Sequence, residues 1–277
     1  MRENTVKKGY RKGFSYSFIC GDIKGKPVIS VCENMETTIL VNSLCKSYGR
    51  IPAVKNLDLS VNRGEVFGLL GANGAGKSTT IECILGTKKR DSGTVSILKM
   101  DPRKDRKKLF ERVGVQFQEA NYQEKITVRE LCQETYCLYK NPSHYEDLLN
   151  QFGLKDKTNR MVNELSGGER QRLFVVAALI PRPEVVFLDE LTSGLDTKAR
   201  RSVWKCLLEL KISGLTIFLT SHSMEEVENL CDRIGILKDG SLVFCGTIQE
   251  AITAASCEKL EDAYLWFTGE EEYYENI

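Results

Sequence analysis

Residues 71–78 read GANGAGKS, and this stretch decides the fold class of the chain. It follows a short apolar run, EVFGLL at 65–70, and precedes a stretch in which Ile81, Ile84 and Leu85 share one helical face. The spacing G-x-x-x-x-G-K-[ST] is typical of loops that bind phosphates, because glycines permit a tight turn with inward N–H groups. A strand, a glycine-rich loop and a helix in this order predict a nucleotide-binding α/β core.

Two side chains of this loop suit the chemistry of a nucleoside triphosphate. Lys77 is expected to reach the β- and γ-phosphates, where it also counts as a catalytic group, and the Ser78 hydroxyl is expected to bind Mg²⁺. The alternative is an ordinary glycine turn beside a surface lysine, and the flanking strand and helix argue against it. The predicted cofactors are therefore ATP and Mg²⁺. The predicted nucleotide contacts within the loop are Gly71, Asn73, Gly74, Gly76, Lys77, Ser78 and Thr79.

Further short apolar runs lie downstream, separated by helical patterns. VVFLD at 185–189 and LTIFLT at 215–220 read as buried strands with a helix at about 197–211 between them, which predicts a parallel sheet covered on both faces. Residues 37–61 alternate short β-like runs with polar turns and predict an antiparallel subsheet. The other elements expected are a turn at 91–93 before the strand TVSIL, a mainly helical and polar stretch at about 119–164, and a hairpin that turns at Asp239-Gly240.

The strand VVFLD ends in Asp189, and Glu190 follows it. The aspartate suits Mg²⁺, usually through water, and the glutamate suits a base or an orienting group for attacking water. Two acids at a strand end can also be solvated surface groups, but the phosphate loop favours the functional interpretation. His222 follows the strand LTIFLT at the sheet edge where ligands collect, which suits a hydrogen bond to the γ-phosphate; in isolation a buried structural histidine is the usual alternative. His144 has no such context and is read as structural.

Residues 165–172 read LSGGERQR and form a second glycine-rich helix start. Ser166 and Glu169 have the spacing of a capping box directly before the apolar run LFVVAALI. Gly167 and Gly168 would expose the first amides of that helix, which predicts a second anion site. The first loop already holds a nucleotide of its own chain, so a second phosphate-binding helix start is useful if it serves a nucleotide held by another copy.

The composition limits the remaining function classes. The chain has 277 residues, 42% of them hydrophobic, and a formal net charge of +1, so no global field favours nucleic acid or an acidic membrane as a partner. Ten cysteines without a C-x-x-C pair, together with two histidines, indicate reduced buried thiols rather than disulfides or zinc. No apolar run approaches the ~18 residues of a membrane-spanning helix, so a membrane role has to come through a partner chain.

Both ends of the chain differ from its middle. Residues 1–34 are basic with scattered glycines and predict a poorly ordered extension, so that Met35 is a candidate for the start of the folded protein. The tail EEEYYENI at 270–277 is acidic and is expected to fray. The folded domain is therefore expected to span 35–269.

Together these motifs resemble those of the ATP-binding cassette (ABC) ATPases over about residues 37–267. GANGAGKST resembles their Walker A motif, LSGGERQR their signature and VVFLDE their Walker B. SGLD resembles the D-loop, which adds Asp196 to the nucleotide contacts, and TSH resembles the loop of the switch histidine. Tyr48 in KSYG resembles the aromatic residue on which adenine stacks. Gln118 in VGVQFQE resembles the Q-loop glutamine that touches Mg²⁺, with Gln116 close enough to leave the register open.

The resemblance implies a fold, a dimer and a set of roles. The fold is an α/β P-loop NTPase with a RecA-like parallel sheet core, an antiparallel β subsheet and an inserted helical subdomain at about 119–164. Two ATPase domains pair head to tail, so that each nucleotide lies between one Walker A loop and the signature of the other chain. The implied catalytic residues are Glu190, His222 and Lys77. The implied metal contacts are Ser78, Gln118 and Asp189, and the signature contributes Ser166, Gly167 and Gly168 to the bound nucleotide.

The resemblance also implies partners. A transmembrane permease subunit binds the helical subdomain and holds the ATPase on the cytoplasmic face of the membrane, and the second ATPase subunit is either a copy of this chain or a paralogue. The sequence FGLLGANGAGKSTT and the short C-terminal region resemble the drug, antibiotic and lantibiotic export branch. An importer ATPase, or a non-transport ABC ATPase that acts on ribosomes or DNA, stays open as an alternative. One departure is Leu191, where the family usually has proline, and the loss of the proline is expected to loosen the placement of Glu190 or of the D-loop.

Overall fold

The computed structural model describes residues 36–117, 122–192 and 194–269. The predicted extension at 1–34, the start of the folded protein at Met35, the candidate Gln118 and the acidic tail at 270–277 lie outside the described residues. The limits of the folded domain therefore stay predictions.

The described chain alternates strands and helices. The strands are β1 (Thr37–Tyr48), β2 (Ile51–Asn62), β3 (Val66–Leu70), β4 (Ser92–Ile97), β5 (Val113–Gln116), β6 (Val185–Asp189), β7 (Thr216–Ser221), β8 (Arg233–Lys238) and β9 (Ser241–Gly246). The helices are α1 (Lys77–Ile84), α2 (Arg106–Leu109), α3 (Val128–Cys137), α4 (Tyr145–Gln151), α5 (Gly167–Leu179), α6 (Thr197–Ile212), α7 (Met224–Leu230), α8 (Ile248–Ala255) and α9 (Leu260–Thr268). Short 3₁₀ turns cover Lys155–Lys157 and Val162–Glu164.

The central sheet has six strands in the order β5-β6-β7-β3-β8-β9. Strands β5, β6, β7, β3 and β8 pair in parallel, and β9 pairs antiparallel to β8 at the edge. The predicted parallel sheet is confirmed, as is the hairpin at Asp239-Gly240, where both residues adopt a positive φ. The carboxyl ends of β3, β6 and β7 lie side by side, because their register pairs Leu188 with Leu219 and Leu69 with Thr220.

The second sheet is antiparallel, in the order β2-β1-β4, which confirms the predicted subsheet. Its apolar side chains share one core with helix α1 and with Phe67, Phe187 and Phe218 of the central sheet. The turn predicted at 91–93 is wrong in its extent, because Ser92 already begins β4 and pairs with Cys45. The register between β1 and β4 shifts at this point, which is where a bulge lets the chain bend into the strand.

Residues 122–164, the described part of the stretch predicted to be helical, contain α3 and α4 and form part of the main core. Leu148, Phe152 and Val162 are buried in one cluster with Leu173 of α5 and Leu188 of β6. Full burial of each of these large apolar side chains stabilises the fold by about 1.5–3 kcal/mol. Within the described residues, no helix combines the length and the apolar character that crossing a bilayer requires.

Candidate nucleotide-binding site

The loop between β3 and α1 depends on its glycines. Gly76 has a φ of +104°, and a Cβ there would stand 2.4 Å from the carbonyl oxygen of Ala53. At Gly71 a Cβ would stand 2.6 Å from the Leu237 oxygen. Gly74 also has a positive φ, +85°, but it faces open space. Two of the glycines therefore allow the loop to pack on neighbouring backbone, and the third allows its left-handed turn.

Helix α1 differs from most helices of the described chain at its first turn. It begins after Gly76 without a side-chain cap, and no acidic residue lies in its first turn. Helices α3, α5, α6, α7 and α8 each begin at a serine, threonine or aspartate whose side chain accepts an N–H. The start of α1 therefore leaves amide donors and the positive end of the helix dipole for an anion.

Lys77 is almost fully buried beside this helix start. Its Nζ donates to the carbonyl oxygens of Gly71, at 2.8 Å, and Ala72, at 3.2 Å. Burial lowers the pKa of the Lys77 ammonium, and the nearby charges of Glu190 and Asp189 work against that shift. The Lys77 ammonium is thus held within the loop as a hydrogen-bond donor. A phosphate oxygen could replace the two carbonyl oxygens as its acceptor.

A cavity of about 360 Å³ opens beside the loop. Its lining consists of Ala53, Asn73, Gly74, Gly76, Lys77, Ser78, Thr79 and Glu190. Most of the loop residues predicted to contact the nucleotide therefore line one cavity, together with Glu190, which follows β6. The donor set of backbone amides and one ammonium fits a polyphosphate.

Asp189 ends β6 and is also almost fully buried. Its carboxylate accepts hydrogen bonds from the hydroxyls of Thr220 and Ser78. Burial raises the pKa of Asp189, and these two hydrogen bonds work against the shift. A hydroxyl of α1, which lines the cavity, thus meets the carboxylate that ends β6, and oxygen ligands of this kind fit Mg²⁺.

Glu190 adopts a left-handed backbone conformation with a φ of +50°. Its N–H donates to the Thr220 hydroxyl at 3.0 Å, and its side chain turns towards the end of β7. Glu190 Oε1 lies 3.9 Å from Nδ1 of His222, whose side chain is 59% exposed. The unusual backbone at Glu190 places its carboxylate next to the histidine and the phosphate-loop cavity.

The second glycine-rich helix start has the capping box expected from its sequence. Ser166 N donates to Glu169 at 2.9 Å, and Glu169 N donates to the Ser166 hydroxyl at 3.2 Å. Lys157 lies 3.0 Å from the same glutamate. A Cβ on Gly167 would meet no atom within 4 Å beyond its chain neighbours and its own helix backbone, so the helix start is open at this residue, whereas a Cβ on Gly168 would stand 2.9 Å from Leu195 Cδ2.

Three other residues considered for the site, Tyr48, Asp196 and Gln116, do not line the phosphate-loop cavity. Asp196 and Gln116 make structural hydrogen bonds. The ring of Tyr48 is exposed and has the Nζ atoms of Lys46 and Lys88 at 5.4 and 5.5 Å from its centroid. Asp196 caps helix α6, since its carboxylate accepts from the N–H of Ala199 at 2.8 Å. Gln116 ends β5 and donates to the Asp189 carbonyl at 3.3 Å. The roles assigned to these residues stay predictions.

Thr220 and Leu191 both lie beside Glu190, and Thr220 was not among the residues predicted from the sequence. Thr220 connects the ends of β6 and β7, and the signal for it was its position as a hydroxyl at the end of a buried strand. Leu191 is fully buried in the main core, so apolar packing holds the chain where the resemblance expected a proline. The loosening expected there stays a prediction.

Comparison with known proteins agrees with this geometry. A family model described as ABC transporter matches residues 54–193. A fluoroquinolone export ATP-binding protein of Mycobacterium tuberculosis is 36% identical over 214 residues, which cover 77% of this chain and 71% of that protein. A linearmycin resistance ATP-binding protein of Bacillus subtilis is 36% identical over 208 residues, covering 73% and 67%.

A solved structure, the dimeric structure of a bacterial ABC transporter cassette, has the same fold. It superposes with a TM-score of 0.68 at 26% identity and covers 76% of this chain and 98% of its own. In this family ATPase subunits dimerise and work with transporter permeases. The chain belongs to the ABC transporter family as an ATP-binding subunit, an ATPase whose hydrolysis of ATP powers transport.

Proposed function

We propose that this chain hydrolyses Mg²⁺-bound ATP at a site shared between two ATPase subunits and thereby drives an export permease. The observation that carries the proposal is the uncapped start of α1, with Lys77, at a cavity that Glu190 also lines. The two relatives described above act in fluoroquinolone export and in linearmycin resistance, which supports a drug or antibiotic as the cargo. The subunit would work at the cytoplasmic face of the membrane, bound to the permease.

The residues divide the chemistry between them. Lys77 and the first amides of α1 bind the β- and γ-phosphates, and Glu190 orients or deprotonates the attacking water while His222 donates to the γ-phosphate. Ser78 and Asp189 would hold Mg²⁺, which neutralises charge on the phosphates when it is bound. Tyr48 would stack on adenine, and the exposure of its ring supports this role.

The second half of the site comes from the open start of α5 in the partner subunit. The capping box uses the amides of Ser166 and Glu169 and leaves those of Gly167 and Gly168 outside it. Beyond its chain neighbours and its own helix backbone, no described atom lies within 4 Å of a Cβ on Gly167, so another molecule has room to approach. Amides at a helix start suit the γ-phosphate of a nucleotide held by the other chain.

The dimer is tested in the Glu190→Gln variant, which should bind ATP and hydrolyse it very slowly. Gel filtration with ATP should then show a dimer, and with ADP a monomer. Adding Gly167→Glu should abolish the dimer by placing a carboxylate against the γ-phosphate, while the matched Gly167→Ala should keep it. A monomer in ATP for Glu190→Gln, or a dimer that survives Gly167→Glu, would contradict the shared site.

The permease and the pairing are tested with the natural complex. A tagged chain expressed in its own host and purified in mild detergent should retain a multi-spanning permease. A second, differently tagged copy should co-purify if the working pair is a homodimer, and a paralogous ATPase should appear in its place if it is not. Recovery of the chain on ribosomes or DNA without a permease would contradict the export role.

A further inference from the structure

Glu226 is a buried carboxyl group next to the candidate hydrolysis centre, and none of the motifs accounts for it. It lies in helix α7, four residues after His222, and is only 1% exposed. Its carboxylate accepts from Trp204 Nε1 at 3.4 Å and from the hydroxyls of Ser221 and Thr192. Burying a carboxylate costs free energy, and these donors offset that cost. The burial of Glu226 therefore calls for a structural or functional explanation.

The local sequence would allow this glutamate to stay at the surface. Ser223 and Glu226 have the capping-box spacing, and the same spacing produces a closed box at α3, α5 and α8. At α7 only half of the box forms, since Glu226 N donates to the Ser223 hydroxyl at 3.4 Å. The N–H of Ser223 bonds to the Ser221 hydroxyl instead, at 3.0 Å. The Glu226 carboxylate is thereby directed into the protein.

The three donors come from three separate segments. Thr192 lies two residues after Glu190, on the segment that leaves β6. Ser221 ends β7 and directly precedes His222. Trp204 belongs to α6 and packs in the main core. Glu226 therefore ties the segment that carries the candidate base to the segment that carries the histidine, and fixes both to a core helix.

A cavity of about 140 Å³ lies between these segments, and its lining includes Glu190, His222 and Glu226. Movement of either segment would change the 3.9 Å separation between Glu190 Oε1 and His222 Nδ1. Burial raises the pKa of Glu226, and its three hydrogen bonds work against that shift. The charged form of Glu226 is therefore stabilised by these three donors.

We propose that Glu226 is a positioning residue for ATP hydrolysis. It holds Glu190 and His222 in their relative positions through Thr192 and Ser221. This inference rests on the roles of Glu190 and His222 in the proposed function. Glu226 acts through the neighbours that it holds and is assigned no proton transfer and no contact with ATP. Since small errors in placement of reacting groups cost large factors in rate, the effect should fall on the chemical step.

The test compares Glu226→Gln with Glu228→Gln in the full chain. Glutamine keeps the volume but replaces one of the two accepting oxygens with an NH₂ group, so the three donors cannot all be satisfied and we expect kcat for ATP to fall about tenfold with the Kd for ATP unchanged. Glu228 lies on the exposed side of the same helix, and its variant should keep the parent rate. Thr192→Val should lower kcat as well, and adding it to Glu226→Gln should cause little further loss, because both remove the same link.

A spectroscopic measurement separates positioning from folding. In a Trp266→Phe background the emission of Trp204 should change with Glu226→Gln, while the melting temperature stays within a few degrees of the parent.

A kcat of Glu226→Gln equal to that of the parent, or equal losses in ATP binding and in kcat, would overturn the positioning role. If Glu190→Gln also hydrolyses ATP at the parent rate, the proposed function fails; if Glu190→Gln is inactive and Glu226→Gln is not, only this inference fails.

Discussion

The hydroxyl of Thr220 donates to the carboxylate of Asp189, and it also accepts the N–H of Glu190 at 3.0 Å. One side chain at the end of β7 thus holds both acidic residues that leave β6. Thr220 is fully buried, so water cannot replace it in either hydrogen bond. The geometry of the candidate metal and base positions therefore depends on a residue that has no charge.

Thr220→Val should remove both hydrogen bonds with little change in volume. A buried hydrogen bond to a charged group is worth about 1.5–3 kcal/mol, so we expect kcat for ATP to fall by about 10–100-fold. The matched control is Thr216→Val, because Thr216 is buried at the other end of β7, where its hydroxyl accepts from Gly64 N at 2.9 Å. Steady-state ATPase assays and thermal melts should show similar stability losses but a rate loss only for Thr220→Val. Equal rate losses would assign Thr220 to stability alone.

Lys77→Ala should remove most ATP binding. The Lys77 ammonium is held in the loop by two carbonyl oxygens, and no other lysine lines the same cavity of the described chain. Titration of a fluorescent ATP analogue should show the loss, while Lys99→Ala, at an exposed lysine paired with Glu36, should bind as the parent does. Unchanged affinity in Lys77→Ala would count against the phosphate-loop assignment.

Gly76→Ala and Gly74→Ala should differ although both glycines have a positive φ. At Gly74 the added methyl group meets open space, so only backbone strain of about 1 kcal/mol is expected. At Gly76 it meets the Ala53 carbonyl at 2.4 Å, so the loop has to shift. We expect Gly76→Ala to lower the melting temperature of the nucleotide-free protein strongly, and Gly74→Ala to lower it only slightly. Equal losses of melting temperature in calorimetry without nucleotide would mean that the contact with Ala53 does not constrain the loop.

Much of this architecture follows from local patterns. The bounds of β6 match the apolar run VVFLD, and the capping box at Ser166 and Glu169 forms as its spacing predicts. Both are set by the few residues involved, through burial of a short apolar run and through hydrogen bonds across one helical turn. Such features need no information about the rest of the chain.

Other features arise only from packing between distant segments. Strand β5, with the sequence VGVQ, has a weak local signal and exists because its backbone pairs with β6. Thr220 bonds to Asp189, 31 positions away, and Glu226 bonds to Trp204 and Thr192, 22 and 34 positions away in the chain. The sequence around Glu226 even favours a surface capping box, and the tertiary donors Trp204 and Thr192 override it.

Glu169→Gln should destabilise the protein near neutral pH and lose this effect in acid. The hydrogen bond from Ser166 N, followed by that from Lys157, lowers the pKa of Glu169 in the folded state. A carboxylate with a depressed folded pKa stabilises fully above its unfolded pKa, about 4.3, and loses the contribution as the pH falls through the folded value.

We therefore expect Glu169→Gln to lower the free energy of unfolding by about 0.5–1 kcal/mol at pH 7. The difference from the parent should shrink as the pH falls below the unfolded pKa, about 4.3, and through the lower folded pKa, because the Glu169 carboxylate is progressively protonated there. Urea titrations at pH 7, 5 and 3.5 would measure it, and Lys157→Met should remove part of the same difference at pH 7, since the Lys157–Glu169 pair is 3.0 Å apart. A difference that grows in acid would mean that the Glu169 carboxyl group is stabilised in its protonated form, contrary to the hydrogen bonds that it accepts at the start of α5.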